Sequence, residues 1–335
     1  MIIERAPLTR EIVHPERGAI GWLCVDSLVD GLAFGGFRMT PDVTRDEVEE
    51  LAHCMTLKLA AHGRPVGGAK AGIRMDPKAS DADALLAFFA AEVRDLLIHT
   101  VVLGKDMGAT DRAIDAMYAA IGSPQLAPMG PSQLTRLRDF EGYRRHMTGL
   151  GVAFATRAAL GGSVEGARVV IQGAGLVGLG SAVRLAAMGA QVVAMSDVSR
   201  CLVWPNGVNI DWLEARVRGP RSLIEAEAGQ PALRDELFGL EADAVVLAAS
   251  SYSVTAQHVA RIKAPMVIEG CNMGFAAGAR EAAQAQGVTV IPDVLASSSS
   301  AAMVCRQLKA KGSLSEQELW AAIEGAIMER VTEAM

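Results

Sequence analysis

Aromatic residues are scarce in this chain, with Phe, Trp and Tyr together making up 4% of its 335 residues. No basic stretch interleaved with aromatics occurs and the net charge is −6, so nucleic acid is not an expected partner. The five cysteines (Cys24, Cys54, Cys201, Cys271 and Cys305) have no paired spacing, which argues against a disulfide framework and for reduced, mostly buried thiols. Neither HExxH nor CxxC is present, so no metal site is expected. Long hydrophobic runs are missing too. The apolar, uncharged run Val169 to Val183 has 15 residues, includes Gln172, Ser181 and several glycines, and is shorter than the ~20 needed to span a membrane. The start, MIIERAPLTREIVHPE, carries Glu4 and Arg5 with no apolar stretch behind them, so the expectation is a cytoplasmic protein without a secretory signal.

What the chain does have is glycine, 34 residues, within a composition that is 50% hydrophobic and 21% charged. That balance suits an α/β protein with close backbone approaches and enough apolar surface for two cores. Ile20 to Val25 and Leu32 to Phe37 are predicted strands. Thr44 to Ala61 is a predicted helix, with Thr44 and Glu47 spaced as a capping box and Val48, Leu51, Ala52, Met55 and Leu59 at helical period. Helices are predicted over Asp81 to Leu97 and Asp111 to Ile121, with a strand at Thr100 to Leu103 between them. Pro124, Pro128 and Pro131 mark a boundary. The expected division is a substrate-binding and dimerisation domain over 1–140, a dinucleotide domain over 141–300, and a helical C-terminal segment over 301–335, helical from about Ser315.

The clearest unit runs from Ala167 to Asp197. A β-like run to Gln172 is followed by Gly173-Ala-Gly175-Leu-Val-Gly178, a helical stretch to Met188, and a second strand from Gln191 to Met195. Gly173 allows a tight turn, Gly175 lets backbone approach a pyrophosphate, and Gly178 lets helix pack on strand. The pyrophosphate would meet the free N–H groups of the helix N-terminus. Asp197 follows Gly178 by 19 residues, the spacing of an acid that accepts from a ribose 2′-hydroxyl, which favours NAD; nearby Arg200 leaves NADP open.

Two lysines stand out in the first zone. Lys58 lies in MTLKLAA on the capped helix, and Lys70 lies 12 residues on, in PVGGAKAGI. Gly67, Gly68 and Gly72 around Lys70 imply a close backbone approach. A lysine among Gly, Ala and Ile is poorly solvated, and a second cation nearby lowers its pKa further, which suits it to proton transfer or to polarising a carbonyl. Asp106, in LGKDMGAT beyond an apolar run, is placed either to reach a site or to serve as an N-cap or turn aspartate, and Lys105 beside it should favour its charged form.

The segments GGFRMTP, MTLKLAAHGRPVGGAKAGI and GKDMGAT, followed in order by MTGLGV, VVIQGAGLVGLG, IKAPMVIEGCN and VIPDVLA, resemble the glutamate/leucine/phenylalanine/valine dehydrogenase superfamily from about Gly18 to Ala302. The resemblance implies an α/β catalytic domain followed by a Rossmann domain, with the active site in the cleft between them, and a homo-oligomer. It implies NAD(P)-dependent, reversible oxidative deamination of an L-amino acid to a 2-oxo acid and ammonia. By that resemblance Lys58 holds the substrate α-carboxylate, Lys70 polarises the carbonyl and activates water, and Asp106 exchanges protons with the nitrogen. Gly35 and Gly36 would lie against substrate. Cofactor contacts would come from Thr148, Gly173, Gly175, Leu176, Val177, Gly178, Asp197 and Ala249, and Asn272 would lie near the cofactor ribose or the substrate amine.

Glutamate-specific members carry a lysine immediately before the GG pair, where this chain has Phe34, and a serine at the place that aligns with Val304. A glutamate side chain would lose both partners, at a cost of several kcal/mol, so an apolar or aromatic substrate is expected. The sequence departs from the family at Ser297 to Ser300, where NxGG is usual, at Lys105, and in its short C-terminus. The same residues also suit reductive amination or cyclisation of a non-standard keto acid. A non-catalytic paralogue that binds cofactor or amino acid is the remaining alternative.

Overall fold

The computed structural model describes residues 3–4, 7–63, 65–129, 147–218, 223, 229–309 and 315–335. The chain divides into two compact units, one of residues 1–139 with 304–313, the other of 140–303 with 314–335. The segment read as separate, 301–335, is thus shared between them. Pro131 lies outside the described residues.

In the first unit, β1 (Ile3–Glu4) pairs with β4 (Leu28–Val29). The main sheet holds β2 (Leu8–His14), β3 (Gly18–Val25), β5 (Ala33–Thr40), β6 (Gly67–Arg74) and β7 (Val101–Lys105), in the order β2-β3-β6-β5-β7. β2 and β6 run antiparallel to β3, whereas β6 and β7 run parallel to β5. Strand alternation sorts the side chains to two faces. Leu23, Val25, Phe37, Met39, Ala69, Ala71 and Ile73 join Phe89 and Ile114 in one core, beneath α2 (Ala82–Glu92) and α4 (Asp111–Ala120). Trp22, Cys24, Val43, Val48 and Ala52 form a smaller cluster on the other face, beneath α1 (Arg45–Ala61).

The helix predicted over Asp81 to Leu97 is two helices: it breaks at buried Val93 (φ −117°) and restarts as α3 (Arg94–His99). Only half of the predicted capping box of α1 forms. Thr44 accepts from the Glu47 backbone N–H (3.2 Å), but the Glu47 carboxylate turns instead to the Arg38 guanidinium (2.5 Å). A charge-assisted bond to a buried guanidinium outcompetes one to an exposed backbone donor.

The glycines around Lys70 serve the fold. A Cβ at Gly68 would lie 2.3 Å from the backbone nitrogen of Thr56 in α1, and one at Gly72 would lie 2.7 Å from a Val48 methyl. The close approach read from sequence is that of α1 onto β6.

The second unit is a seven-stranded sheet of order β11-β10-β9-β8-β12-β13-β14. Its parallel strands are β8 (Arg168–Gln172), β9 (Gln191–Ser196), β12 (Ala244–Leu247), β13 (Met266–Glu269) and β14 (Thr289–Ile291), extended antiparallel by β10 (Cys201–Val203) and β11 (Gln230–Ala232). Strand order reverses between β8 and β12, the topological switch of a doubly wound fold. Helix α5 (Met147–Ala159) packs on α6 (Leu176–Ala187), where the Ser181 hydroxyl donates to the Gly149 carbonyl (3.1 Å). Helix α7 (Ile210–Arg218) follows β10, and α8 (Ala256–Val259) and α9 (Ala279–Ala285) flank β13 in sequence.

In the serine run, Ser297, Ser298 and Ser299 are buried and hydrogen-bonded. After α10 (Asp293–Ala296), Ser297 donates to the Asp293 carbonyl (2.9 Å), Ser298 to Leu295 (2.7 Å) and Ser299 to Met147 (2.8 Å). Ser299 opens α11 (Ser299–Lys309), so the helical segment expected from about Ser315 starts earlier, and α12 (Glu316–Ala334) follows. Among the described residues no helix is long and apolar enough to cross a membrane.

Gly68→Ala is expected to separate α1 from β6, since backbone and not a flexible side chain stands in the way of the added methyl. A loss of about 1–3 kcal/mol, read by chemical denaturation, is the expected size.

Candidate active site

Lys70 sits mid-strand on β6 with its side chain 5% exposed, on the α1 side of the sheet. In register beside it on β5 is Gly36, and beside Gly36 on β7 is Gly104. This bare row lets the long side chain reach sideways. A Cβ at Gly36 would lie 3.1 Å from Lys70 Nζ and 3.0 Å from Asp106 Cβ. Gly35, on the opposite face, packs against Ala69 backbone.

Asp106, just beyond β7, meets Lys70 with Oδ2 2.7 Å from Nζ. The same oxygen accepts from Arg38 Nε at 3.1 Å. Asp106 is no N-cap: α4 is capped by Thr110, which accepts from the Ala113 N–H (3.2 Å). Lys105, expected to keep Asp106 charged, points away and pairs with Asp111 (2.6 Å), because adjacent strand residues project to opposite sides. Lys70 and Arg38 perform that task.

Burial pushes the Lys70 pKa below the ordinary lysine value; Asp106 pulls it back up, while Arg38 and Lys58 add to the lowering. For Asp106 burial acts upward, but Lys70 and Arg38 together outweigh it and hold the carboxyl well below the usual range. Lys58, in the last turn of α1, is 6% exposed and close enough to Lys70 to be felt electrostatically.

Arg38 is the residue that sequence reading missed. It lies two positions after Gly36 on β5, on the same face of the strand, and is 3% exposed. That alternation was the available signal: an arginine at strand period from a site glycine. Phe34, two residues before Gly36, is half-buried, and its ring passes 3.9 Å from where a Gly104 Cβ would stand. Val304, in α11, is fully buried.

In the second unit the glycine turn has the predicted geometry. Gly173 adopts φ +103°, where a Cβ would meet the Ala248 carbonyl at 2.4 Å. At Gly178 it would meet the Gly173 carbonyl at 1.8 Å. Gly175 opens α6, and a Cβ built there meets nothing within 4 Å. Backbone N–H groups therefore face a cradle clear of side chains, which fits a dinucleotide pyrophosphate. Leu176 is exposed and Val177 half-buried at the helix start, Thr148 is half-buried in α5, and Ala249 is half-buried after β12.

Asp197, at the end of β9, is already engaged. Oδ1 accepts from the Ser199 N–H (2.8 Å), the Ser199 hydroxyl (2.5 Å) and the Arg200 N–H (3.1 Å), and Oδ2 from the Leu223 N–H (2.7 Å). Burial raises its pKa, but these bonds outweigh burial and the net shift is downward. A ribose hydroxyl reaching Asp197 would compete with these donors for its roughly four acceptor positions.

Asn272 lies in the loop after β13. That loop is held by the Met273 N–H donating to Asp293 (3.2 Å) and the Gly274 N–H donating to fully buried Glu269 (3.1 Å), which also pairs with Arg280 (2.5 Å). Met273 (φ +50°) and Tyr252 (φ +56°) both occupy left-handed backbone, and the Tyr252 N–H donates to the Met273 carbonyl (2.7 Å).

One unit thus carries a buried lysine paired with a half-buried carboxylate and the other a dinucleotide-type glycine turn, the two parts of a pyridine-nucleotide dehydrogenase. A family model described as glutamate/leucine/phenylalanine/valine dehydrogenase matches residues 142–334, and another, described as the Glu/Leu/Phe/Val dehydrogenase dimerisation domain, matches 14–122. The chain belongs to the Glu/Leu/Phe/Val dehydrogenase family. It is 32% identical over 293 residues to the NADP-specific glutamate dehydrogenase of Saccharolobus shibatae, covering 83% of this chain and 68% of that one. It is 34% identical over 272 residues to glutamate dehydrogenase B of Halobacterium salinarum, covering 78% of this chain and 63% of the relative. The hetero-hexameric glutamate dehydrogenase of Thermus thermophilus, solved with Leu bound, superposes with a TM-score of 0.75 at 26% identity, over 98% of this chain and 82% of that one.

Asp197→Ala is expected to release the 197–200 turn and Leu223 together. A loss of about 1–3 kcal/mol in thermal or chemical unfolding is expected from donors left unpaired. An unchanged unfolding curve would count against this bracing role.

Proposed function

We propose that the chain catalyses reversible, NAD- or NADP-dependent oxidative deamination of an L-amino acid to a 2-oxo acid and ammonia, and that the amino acid is apolar or aromatic. The observation that carries the reaction is the pairing of buried Lys70 with half-buried Asp106, with Lys58 nearby. When bound, the dinucleotide supplies the acceptor for the hydride leaving the substrate Cα. Lys58 holds the substrate α-carboxylate by charge. Asp106 rests as a carboxylate and takes a proton from the substrate ammonium. Lys70, its basicity lowered by burial, takes the proton of the attacking water and in reverse polarises the 2-oxo carbonyl. Gly36 keeps the space beside Nζ clear for substrate.

The substrate preference rests on Phe34. Its half-buried ring lies next to the Gly36–Gly104 row, where a glutamate-specific site has a lysine. A substrate side-chain carboxylate there would be desolvated without a partner. Val304, with no hydroxyl, agrees with that preference. The relatives named above are glutamate dehydrogenases, and Phe34 is where this chain parts from that specificity. The dimerisation-domain match supports assembly as a homo-oligomer, and the lack of a membrane-crossing helix among the described residues is compatible with a cytoplasmic enzyme.

The test is NADH or NADPH oxidation with ammonium and a panel of 2-oxo acids. Branched or aromatic oxo acids are expected to turn over and 2-oxoglutarate to be poor. Lys70→Ala is expected to remove turnover by at least about a hundredfold while cofactor binding, followed by nucleotide fluorescence, persists. Phe34→Lys is expected to shift kcat/KM toward 2-oxoglutarate by about tenfold or more, the size of a charge-assisted bond gained. Turnover of 2-oxoglutarate alone by the unaltered chain would overturn the substrate reading but leave the reaction.

A further inference from the structure

In the scheme above Arg38 touches neither substrate nor cofactor, yet it is buried in the middle of β5 with its guanidinium held at two points. Nη1 reaches Glu47 in the first turn of α1, and Nε reaches the oxygen of Asp106 that also binds Lys70. Because both cations bind that one oxygen, at 3.1 and 2.7 Å, they stand within about 6 Å of each other. A guanidinium does not lose its proton in a protein, so this charge is permanent.

We infer that Arg38 is a positioning residue that sets the proton affinity of Lys70, and that Glu47 is its counterweight, in a chain running Glu47–Arg38–Asp106–Lys70. The inference rests on the catalytic reading of Lys70 for its consequence in turnover, but not for the electrostatics itself.

The groups facing Lys70 define the sign. From β5 comes Arg38, from the loop after β7 comes Asp106, and from α1 come Lys58 and, through Arg38, Glu47. Lys105, on β7, is paired with Asp111. On β3 the residue directly in register is Cys24, whose thiol stays neutral because burial pushes it up to about 11. With Lys105 and Asp111 cancelling each other, Lys70, Arg38 and Lys58 against Asp106 and Glu47 leave a net single positive charge around the pair when Lys70 is protonated. Neutralising Arg38 removes a repelling charge, so Lys70 holds its proton to higher pH. Neutralising Glu47 exposes the full guanidinium charge, so Lys70 releases its proton at lower pH. A merely structural role for the two residues has no reason to produce opposite signs.

The experiment is a pH titration of Lys70 in protein labelled with [13Cε]lysine, its resonance assigned with Lys70→Met, compared among the unaltered chain, Arg38→Gln, Arg38→Lys and Glu47→Gln. Arg38→Gln is expected to raise the Lys70 midpoint by about 2 pH units, the effect of a full charge at this separation in an effective dielectric of about 20. Arg38→Lys should keep the midpoint near that of the unaltered chain, and Glu47→Gln should lower it. In active enzyme the acid limb of kcat/KM for amino-acid oxidation should move with each midpoint, because that direction needs neutral Lys70. Shifts of the same sign in Arg38→Gln and Glu47→Gln, or no shift in either, overturn the inference. If Arg38→Gln does not fold, Glu47→Gln decides alone: a fall supports it, and no change or a rise overturns it. Midpoints that move as expected in a chain that oxidises no amino acid would uphold the role of Arg38 and sink the proposed reaction instead.

Discussion

The salt link between Asp106 and the two cations Lys70 and Arg38 is the constraint around which the first unit is organised. Lys70 and Arg38 would each be costly to bury without the Asp106 carboxylate, and breaking a buried pair by removing one member typically costs about 3–5 kcal/mol. The fold meets this demand from separate elements, with Lys70 on β6, Arg38 on β5, Asp106 beyond β7 and Glu47 on α1. Parallel pairing of β5 with both β6 and β7 sets Lys70 in one row with Gly36 and Gly104, and Arg38 two residues further along the same face. The glycine in that row matters because side chains as long as lysine and arginine can converge on one carboxylate only over a bare patch of sheet.

The second unit solves a different problem with the same material. In the proposed reading the backbone does the recognising there, so side chains must be kept out of the way. Gly173 and Gly178 are pressed against neighbouring backbone, and Gly175 faces open space. The surrounding polar groups are mostly consumed internally, with Asp197 bracing its own turn and the buried serines binding carbonyls of α5 and α10. An acid at the right spacing in sequence therefore need not have a free carboxylate in the fold.

Much of this was legible in the sequence because it rests on local rules. The glycine turn, the strands on either side of it and the helix capped by Thr44 each follow from residues a few positions apart. Lys70 and Asp106 stood out by their apolar, glycine-rich surroundings. What escaped notice depends on partners distant in the chain. Arg38 acquires its role from Asp106, 68 residues away, and Glu47 leaves its capping box because Arg38 is there. Lys105 looked like the partner of Asp106 by adjacency, but the pleat sends neighbours apart. The helix break at Val93 and the earlier helix start at Ser299 are likewise set by packing, which overrides local propensity.

Tyr252 and Met273 show how such long-range dependence constrains a sequence over time. Each holds a left-handed conformation that costs an ordinary residue about 1–3 kcal/mol, and a backbone hydrogen bond ties the two together across 21 positions. The Tyr252 hydroxyl also donates to the Met273 sulfur (3.2 Å), so main chain and side chain both join the two positions. The backbone cannot relax at one position without releasing the other. The two loops that follow β12 and β13 are thus mechanically yoked, and insertions or deletions in one will be tolerated only if they preserve the crossing point in its partner.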